Sequence, residues 1–390
     1  MTCILTTATS SGSVIEMAVS EKLPVKKGLK GAEDEILTCT LCGYCKESCP
    51  FFNQLGWDTN TSRGRILLSY ALLHNVIPPD EKAVETVYKC TLCRKCEVDC
   101  SSKLKILNIL EAVRKDMAAS GKLLPSHKEV LKRIDETGNI YGDKTPTTEM
   151  HNEKEHKAPV AYFAGCVSSY SARKPAAATR KLLKRMGVEY TMFNELCCGY
   201  PAHLLGAGFE KVARENIERL KKLGVKTLIL SCDGCYRMFK EVYPKVVKSD
   251  IQVKHIAEVI AENLDKLPEP KTKETVTYHD SCDLGRHMKM YDLPRKVLSR
   301  FANIKEMPAT REKALCCGTG GGARIAFGDI SDEIALKRLN MAEAVAPVLV
   351  TTCPACSHSM EVVAKKGRKK VHPLTLAQFI EETIEKNEKK

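Results

Sequence analysis

Val225-Lys-Thr-Leu-Ile-Leu-Ser-Cys232-Asp-Gly-Cys235 is a short apolar run that ends on a pair of cysteines three apart, and Val348-Leu-Val-Thr-Thr-Cys353-Pro-Ala-Cys356 has the same form 121 residues later. Working outward, each pair is preceded by a doublet followed by glycine, Cys197-Cys198-Gly199 and Cys316-Cys317-Gly318, and each doublet by a single cysteine, Cys166 or Cys282. The offsets between equivalents are 116, 119, 119, 121 and 121 residues, so this part of the chain is a duplication with small loop insertions. Even the tails are read as corresponding, Val253-Lys254-His255 with Lys370-Val371-His372. Strand-type runs at Val160–Phe163, Val225–Leu230, Thr275–Tyr278 and Val348–Thr351 alternate with helix signals near Lys174–Met186 and Phe209–Leu223. The pattern predicts two α/β lobes. Their cysteines lie just past the carboxyl ends of strands, where open α/β sheets carry ligand sites, and two facing lobes would share a cleft there.

Ahead of the duplication stand two further motifs, Cys39-Thr-Leu-Cys42-Gly-Tyr-Cys45-Lys-Glu-Ser-Cys49-Pro50 and Cys90-Thr-Leu-Cys93-Arg-Lys-Cys96-Glu-Val-Asp-Cys100. Both have the C-x2-C-x2-C-x3-C spacing that ligates cubane [4Fe–4S] clusters, with the fourth cysteine crossing to the other cluster. Cys39, Cys42, Cys45 and Cys100 are therefore expected on one cluster, and Cys90, Cys93, Cys96 and Cys49 on the other. Zinc also binds paired C-x-x-C motifs, but two four-cysteine runs at this spacing point to iron. Ser101 stands where a second proline would follow the motif; that proline ligates nothing, so the assignment is unaffected. Between the motifs Ser62 is expected to cap a helix that stops before Pro78-Pro79, and Glu81–Tyr88 to form a second helix delivering Cys90.

The 390-residue chain is 43% hydrophobic and 28% charged, values of a folded globular protein with several domains. Eighteen of its nineteen cysteines fall in these clusters; Cys3 reads as a bystander thiol. The first twenty residues do not read as an export signal, and no run is apolar for the ~18 residues a membrane helix needs. A cytoplasmic location follows, peripheral on the inner face of a membrane only through a partner protein. The net charge of +13 is read as a solvated lysine-rich surface, as at Lys365-Lys366-Gly367-Arg368-Lys369-Lys370, or as balance for anionic clusters and an anionic substrate. With aromatics at 6% and no recognition motif, nucleic acid is not an expected partner.

The pattern C-x(30)-CCG-x(32)-C-x2-C, repeated as C-x(33)-CCG-x(34)-C-x2-C, resembles the duplicated CCG domain of heterodisulfide reductases and related Fe–S oxidoreductases. Glu195-Leu-Cys-Cys-Gly199, Ser231-Cys-Asp-Gly-Cys-Tyr236, Tyr278-His-Asp-Ser-Cys-Asp-Leu-Gly-Arg-His287, Cys316-Cys-Gly-Thr-Gly-Gly-Gly-Ala-Arg324 and Gly138-Asn-Ile-Tyr-Gly142 carry the resemblance, which extends from about Leu37 onward. The helical linker between the first two motifs is similar to the α-helical ferredoxin module of succinate dehydrogenase and heterodisulfide reductase families. The resemblance implies an α/β protein with an N-terminal α-helical ferredoxin domain. The expected boundaries are a tail over 1–32, the ferredoxin domain over 33–120, a linker over 121–157, and CCG domains over 158–268 and 273–390.

It further implies that Cys166, Cys197, Cys198, Cys232 and Cys235, and separately Cys282, Cys316, Cys317, Cys353 and Cys356, each hold a noncubane [4Fe–4S] cluster, zinc being the alternative at the first set. The implied activity is reduction of a disulfide of the CoM-S-S-CoB type to two thiols, in a complex with a b-type cytochrome or a flavoprotein. The alternative is an electron-transfer chain of a glycolate, lactate or glycerol-3-phosphate dehydrogenase complex. Catalysis is expected at the second set, where Gly320-Gly321-Gly322 would let backbone approach a cluster or substrate. Arg286 and Arg324 would anchor the anionic substrate there, and His287 or His279 would relay protons. Asp283 stands where relatives commonly have histidine.

Overall fold

A computed structural model describes residues 22–144 and 155–389; Cys3 and the rest of the first twenty residues lie outside these, as does 145–154 of the expected linker. The N-terminal region is helical. Its helix Ser62–Leu73 is capped by Thr61 and not by Ser62 as the sequence suggested: Thr61 is the residue with extended backbone, and its Oγ1 accepts from Gly64 N at 3.0 Å. Asp80 caps Glu81–Tyr88 after the two prolines, accepting from Ala83 N at 2.8 Å. Ordered packing begins inside the segment expected as tail. The short helix Lys27–Gly31 buries Leu29 against the helix Ile106–Ala119, where Asp116 accepts from Gly28 N and Leu29 N at 2.9 and 2.7 Å.

The first lobe is a parallel sheet in the order β1 (Val160–Phe163), β2 (Thr227–Leu230), β3 (Gln252–His255). The second is also parallel, with β4 (Glu274–His279), β5 (Ala302–Ile304), β6 (Val348–Thr351) and β7 (His372–Thr375) in the order β5-β4-β6-β7. All-parallel pairing requires crossovers on the faces of the sheet, which the helices between strands supply. Register corrects one sequence correspondence. His255 pairs with Leu230 at the end of β3 and caps the helix Ile256–Glu262. The residue doing the same in the second lobe is Thr375, paired with Thr351 and capping Leu376–Glu388, so His372 is not the equivalent of His255.

The lobes interlock through helices. Arg173–Arg185 of the first packs on Leu376–Glu388 of the second, and Ile256–Glu262 of the first packs on Asp292–Phe301 of the second. Leu182, Ile260, Leu298 and Ile380 are fully buried in the shared core, with Tyr162 and Tyr278 from the two sheets. Arg185 fixes the rim, reaching Glu381 at 3.0 Å and Glu388 at 2.6 Å. Because Leu182 is wholly enclosed, Leu182→Ala is expected to destabilise the protein by about 2–5 kcal/mol, read as a lowered midpoint in anaerobic denaturant unfolding.

Candidate functional site: a line of buried thiols

Local backbone shapes the two N-terminal motifs identically. In the first, Leu41 and Gly43 are left-handed; in the second, Leu92 and Arg94 are. These reversals turn successive thiols toward one point, and Arg94 accepts a conformation that Gly43 takes freely. The fold brings Cys39, Cys42, Cys45 and Cys100 around one recess and Cys49, Cys90, Cys93 and Cys96 around another, the grouping that crossing ligation requires. Ser101, in the place of the missing proline, sets its Oγ 3.4 Å from Cys42 Sγ, and that hydrogen bond lowers the thiol's pKa. Cys42 is exposed, the exception among the cysteines of the described residues.

The ten later cysteines gather where the strands end: Cys166 and Cys282 stand three residues past β1 and β4, Cys232 and Cys353 two past β2 and β6. Just after Cys166 and Cys282 the chain makes π-helical turns, Val167–Ser171 and Asp283–His287, a wider coil that periodicity in the sequence does not announce. Within the first set the thiols interact in sequence, Cys166 with Cys197, Cys197 with Cys198, Cys198 with Cys235 and Cys235 with Cys232. Within the second, Cys353 interacts with Cys356 in the same way, Cys356 lies 3.1 Å from Cys317, and Cys316 interacts with both Cys317 and Cys282. The sets are joined to each other by Cys232 and Cys353, and to the ferredoxin region by Cys316 and Cys93. One line of thiols thus runs from the second N-terminal motif through both lobes.

Along this line the thiols split: neighbouring thiols push Cys198 down to about 6 and hold Cys232, Cys316 and Cys317 below the ordinary thiol value, while other members are pushed up. Burial holds the Cys96 thiol well above its ordinary value, and thiol neighbours with burial do the same for Cys93, Cys166, Cys282 and Cys356. Thiols gathered this closely can bind metal as thiolates, and four- and five-cysteine sets suit iron–sulfur clusters. A ring nitrogen of His279 also lies within 4.8 Å of the Cys317 and Cys356 sulfurs. Arg338 Nε donates to His279 Nδ1 at 3.2 Å, and a guanidinium only donates, so the neutral ring carries its proton on Nε2. Burial pushes the His279 pKa down to about 3, which keeps the ring neutral.

The first set has a carboxylate environment. Glu195 accepts from Ala164 N, Gly165 N and Ser169 Oγ, and burial raises its pKa to about 7. Asp233, fully buried beside Cys232, accepts from His255 Nε2 at 3.1 Å and from Thr352 Oγ1 of the other lobe at 2.8 Å, clamping the lobes where Cys232 meets Cys353. Sequence reasoning assigned neither carboxylate a role. For Glu195 the available signal was its place in the Glu195-Leu-Cys-Cys-Gly199 stretch.

Other expectations change. Gly320–Gly322 packs on the ferredoxin loop that carries Cys90. A Cβ on Gly321 would overlap Cys90 O, and one on Gly320 would lie 2.8 Å from Thr91 O. Arg114 Nη1 then donates to Gly321 O at 2.7 Å, and His127 Nε2 lies 2.9 Å from Gly322 O. Arg286 donates to the carbonyls of Cys93 and Ala314, at 2.5 and 2.7 Å, and is 1% exposed, so it offers no open face to a substrate. His287 Nε2 lies 3.2 Å from Leu92 O, a contact that uses its ring proton, and Arg324 pairs with Asp332 at 2.8 Å. Asp283 takes the hydroxyl of Tyr200 and lies 3.4 Å from Arg237, a charge that also meets Glu111 at 3.7 Å. It is therefore a joint between the lobes and the helical region.

Comparison with known proteins agrees with this division. A 4Fe-4S dicluster domain matches residues 35–104, and a cysteine-rich domain (CCG) matches 160–240 and again 276–361. The chain is 32% identical to the D component of dihydromethanophenazine:CoB–CoM heterodisulfide reductase of Methanosarcina mazei, over 84% of this chain and 88% of that one. It is 25% identical to the B component of fumarate reductase (CoM/CoB) of Methanothermobacter marburgensis, over 88% and 71%. With the EtfAB:quinone oxidoreductase of Syntrophomonas wolfei it shares 28% identity, over 82% and 54%.

Proposed function

Since the chain belongs to the family of heterodisulfide reductase D components, iron–sulfur oxidoreductases, we propose that it is the disulfide-reducing member of a redox complex. In this reading the N-terminal motifs take in electrons through two cubanes, and a noncubane cluster at the second CCG set delivers them to a disulfide. The observation that carries it is the contact of Cys93 with Cys316, which makes the second set the first of the two to meet the ferredoxin region. When bound, such clusters supply single-electron steps, two of which split a disulfide into thiols.

The protein's own residues prepare the site. Asp233, His255 and Thr352 lock the lobes together beside the cysteines. His279 holds a proton on Nε2 near Cys317 and Cys356, oriented by Arg338. A recess lined by Asn53, Gln54, Lys337 and Cys316 offers two amides and an ammonium to an anionic substrate beside the second set. It takes over the anchoring role expected of Arg286.

Among the described residues no helix is long and apolar enough to cross a membrane, so membrane electrons would arrive through a partner, a b-type cytochrome or a flavoprotein. The likeness to fumarate reductase and EtfAB:quinone oxidoreductase chains favours a second reading, an electron-transfer chain that works with a flavoprotein. Anaerobic turnover separates the two: viologen-driven cleavage of an anionic disulfide supports the first, whereas electron uptake with no disulfide cleavage in the intact complex supports the second. Native protein is expected to hold about 16 irons with both CCG sets loaded, or about 12 with zinc at the first. A value of ~8 in fully assembled protein would remove the CCG clusters from the account.

A further inference from the structure

Four arginines are among the largest fully buried side chains: Arg65, Arg114, Arg286 and Arg338. Among the described residues they bond to backbone carbonyls, a cysteine or a histidine, with no ion pair to a carboxylate. A buried positive charge without a counter-ion is expensive, so the structure has to supply the negative charge in another form. All four lie around the second ferredoxin motif and the second CCG set. Arg65 reaches Cys49 Sγ at 4.0 Å, Arg114 donates to Cys90 O at 2.8 Å, and Arg338 holds His279. Carboxyls stand at both CCG sets, the half-buried Glu195 and buried Asp233 at the first and buried Asp280 and Asp283 at the second, but none of them ion-pairs with these four arginines.

Arg286 faces both sides of the junction. It leaves the π-turn that starts beside Cys282, donates Nε–H to Cys93 O at 2.5 Å, and donates from Nη1 to Ala314 O at 2.7 Å and Glu312 O at 3.3 Å. Its Nη2 is buried with no hydrogen-bond partner. Its electrostatic neighbours are the thiols of Cys93 on one side and of Cys282 and Cys316 on the other.

We propose that Arg286 is a positioning residue for electron transfer, whose single charge is shared by the second cubane site and the second CCG site and stabilises the reduced state of both. This rests on the cluster-bearing reading above. The step is a one-electron transfer that oxidises the Cys49, Cys90, Cys93 and Cys96 site by one and reduces the Cys282, Cys316, Cys317, Cys353 and Cys356 site by one, with no bond made or broken. An electron moving between them stays within the field of the same guanidinium, so it does not have to leave a stabilised position for a bare one. The site of Cys39, Cys42, Cys45 and Cys100 has no share in that charge and serves as an internal reference.

The test is an anaerobic redox titration of native holoprotein, followed by electron paramagnetic resonance, on wild type, Arg286→Gln and Arg286→Lys. In Arg286→Gln a tenfold loss of reduced-state stabilisation would lower the potentials of the second cubane and the second CCG cluster by about 59 mV each. The first cubane should not move, and Arg286→Lys should restore wild-type potentials. Unmoved potentials in Arg286→Gln with iron retained, or an equal shift of every centre, overturn the proposal. Should Arg286→Gln fail to hold iron, Arg286→Lys decides: wild-type potentials support the proposal, and potentials displaced despite the retained charge overturn it. Wild-type protein with ~8 irons and no signal beyond two cubanes defeats the cluster reading and this proposal together. A full complement with unmoved potentials defeats this proposal alone.

Discussion

Cys317→Ala is expected to reduce disulfide turnover to the background rate while leaving both cubanes intact. Cys317 touches Cys316 and lies 3.1 Å from Cys356, so its loss interrupts the second set at its centre and removes the group beside which His279 stands. The cubane thiols belong to the helical region, whose core is built on the helices Ser62–Leu73 and Ile106–Ala119 and also takes in Leu204 and Leu205 of the first lobe. Iron should fall by about four per chain, and the cubane signals should keep their wild-type line shapes. Anaerobic kinetics, iron analysis and spectroscopy on one preparation check all three. Wild-type turnover with the second cluster demonstrably absent would move the active site elsewhere.

Gly321→Ala is expected to uncouple the halves. Gly321 has a φ of +67° and its missing Cβ is filled by Cys90 O, so alanine meets both backbone strain and a main-chain clash. The strain alone is about 1–3 kcal/mol, and the clash can be relieved only by moving the loop that carries Cys90 and Cys93. Both N-terminal clusters should still reduce with dithionite, while passage of their electrons to the second set slows in rapid-freeze kinetics. Gly31→Ala is the control, since a Cβ there meets nothing within 4 Å. Equal transfer rates in wild type and Gly321→Ala would show that the docked loop is not the route.

The architecture was largely readable because cysteine spacing and strand periodicity report local geometry. A C-x-x-C pair past an apolar run predicts a thiol at a strand end, and Cys232 and Cys353 are found there. What stayed hidden depends on contacts between parts distant in sequence. Arg286 looked like a substrate arginine because it stands near cysteines in the chain; its hydrogen bond to Cys93 spans 193 residues and has no sequence signature. The glycine run does make a close approach, yet the partner it approaches, Cys90-Thr91, lies about 230 residues earlier. Arg338, Asp233 and Glu195 were missed for a similar reason. A buried charge in a helix or loop looks the same in one sequence as an exposed one, until the fold shows what encloses it.

The exchange of helix contacts between the lobes also bears on how the chain arose. Arg173–Arg185 against Leu376–Glu388, and Asp292–Phe301 against Ile256–Glu262, are the same pair of faces used twice in opposite directions. A single lobe carrying both faces would bind its own copy about a twofold axis, as isologous dimers do. Cys232 and Cys353 are equivalent positions in contact, so that axis passes between them. Before fusion, both cysteine sets of such a dimer would have been chemically identical. Joining them in one polypeptide freed each to change alone. Cys316 could then acquire the ferredoxin loop while its counterpart Cys197 came to rest under the helix Pro125–Thr137, so that a symmetrical scaffold carries two sites with unlike surroundings.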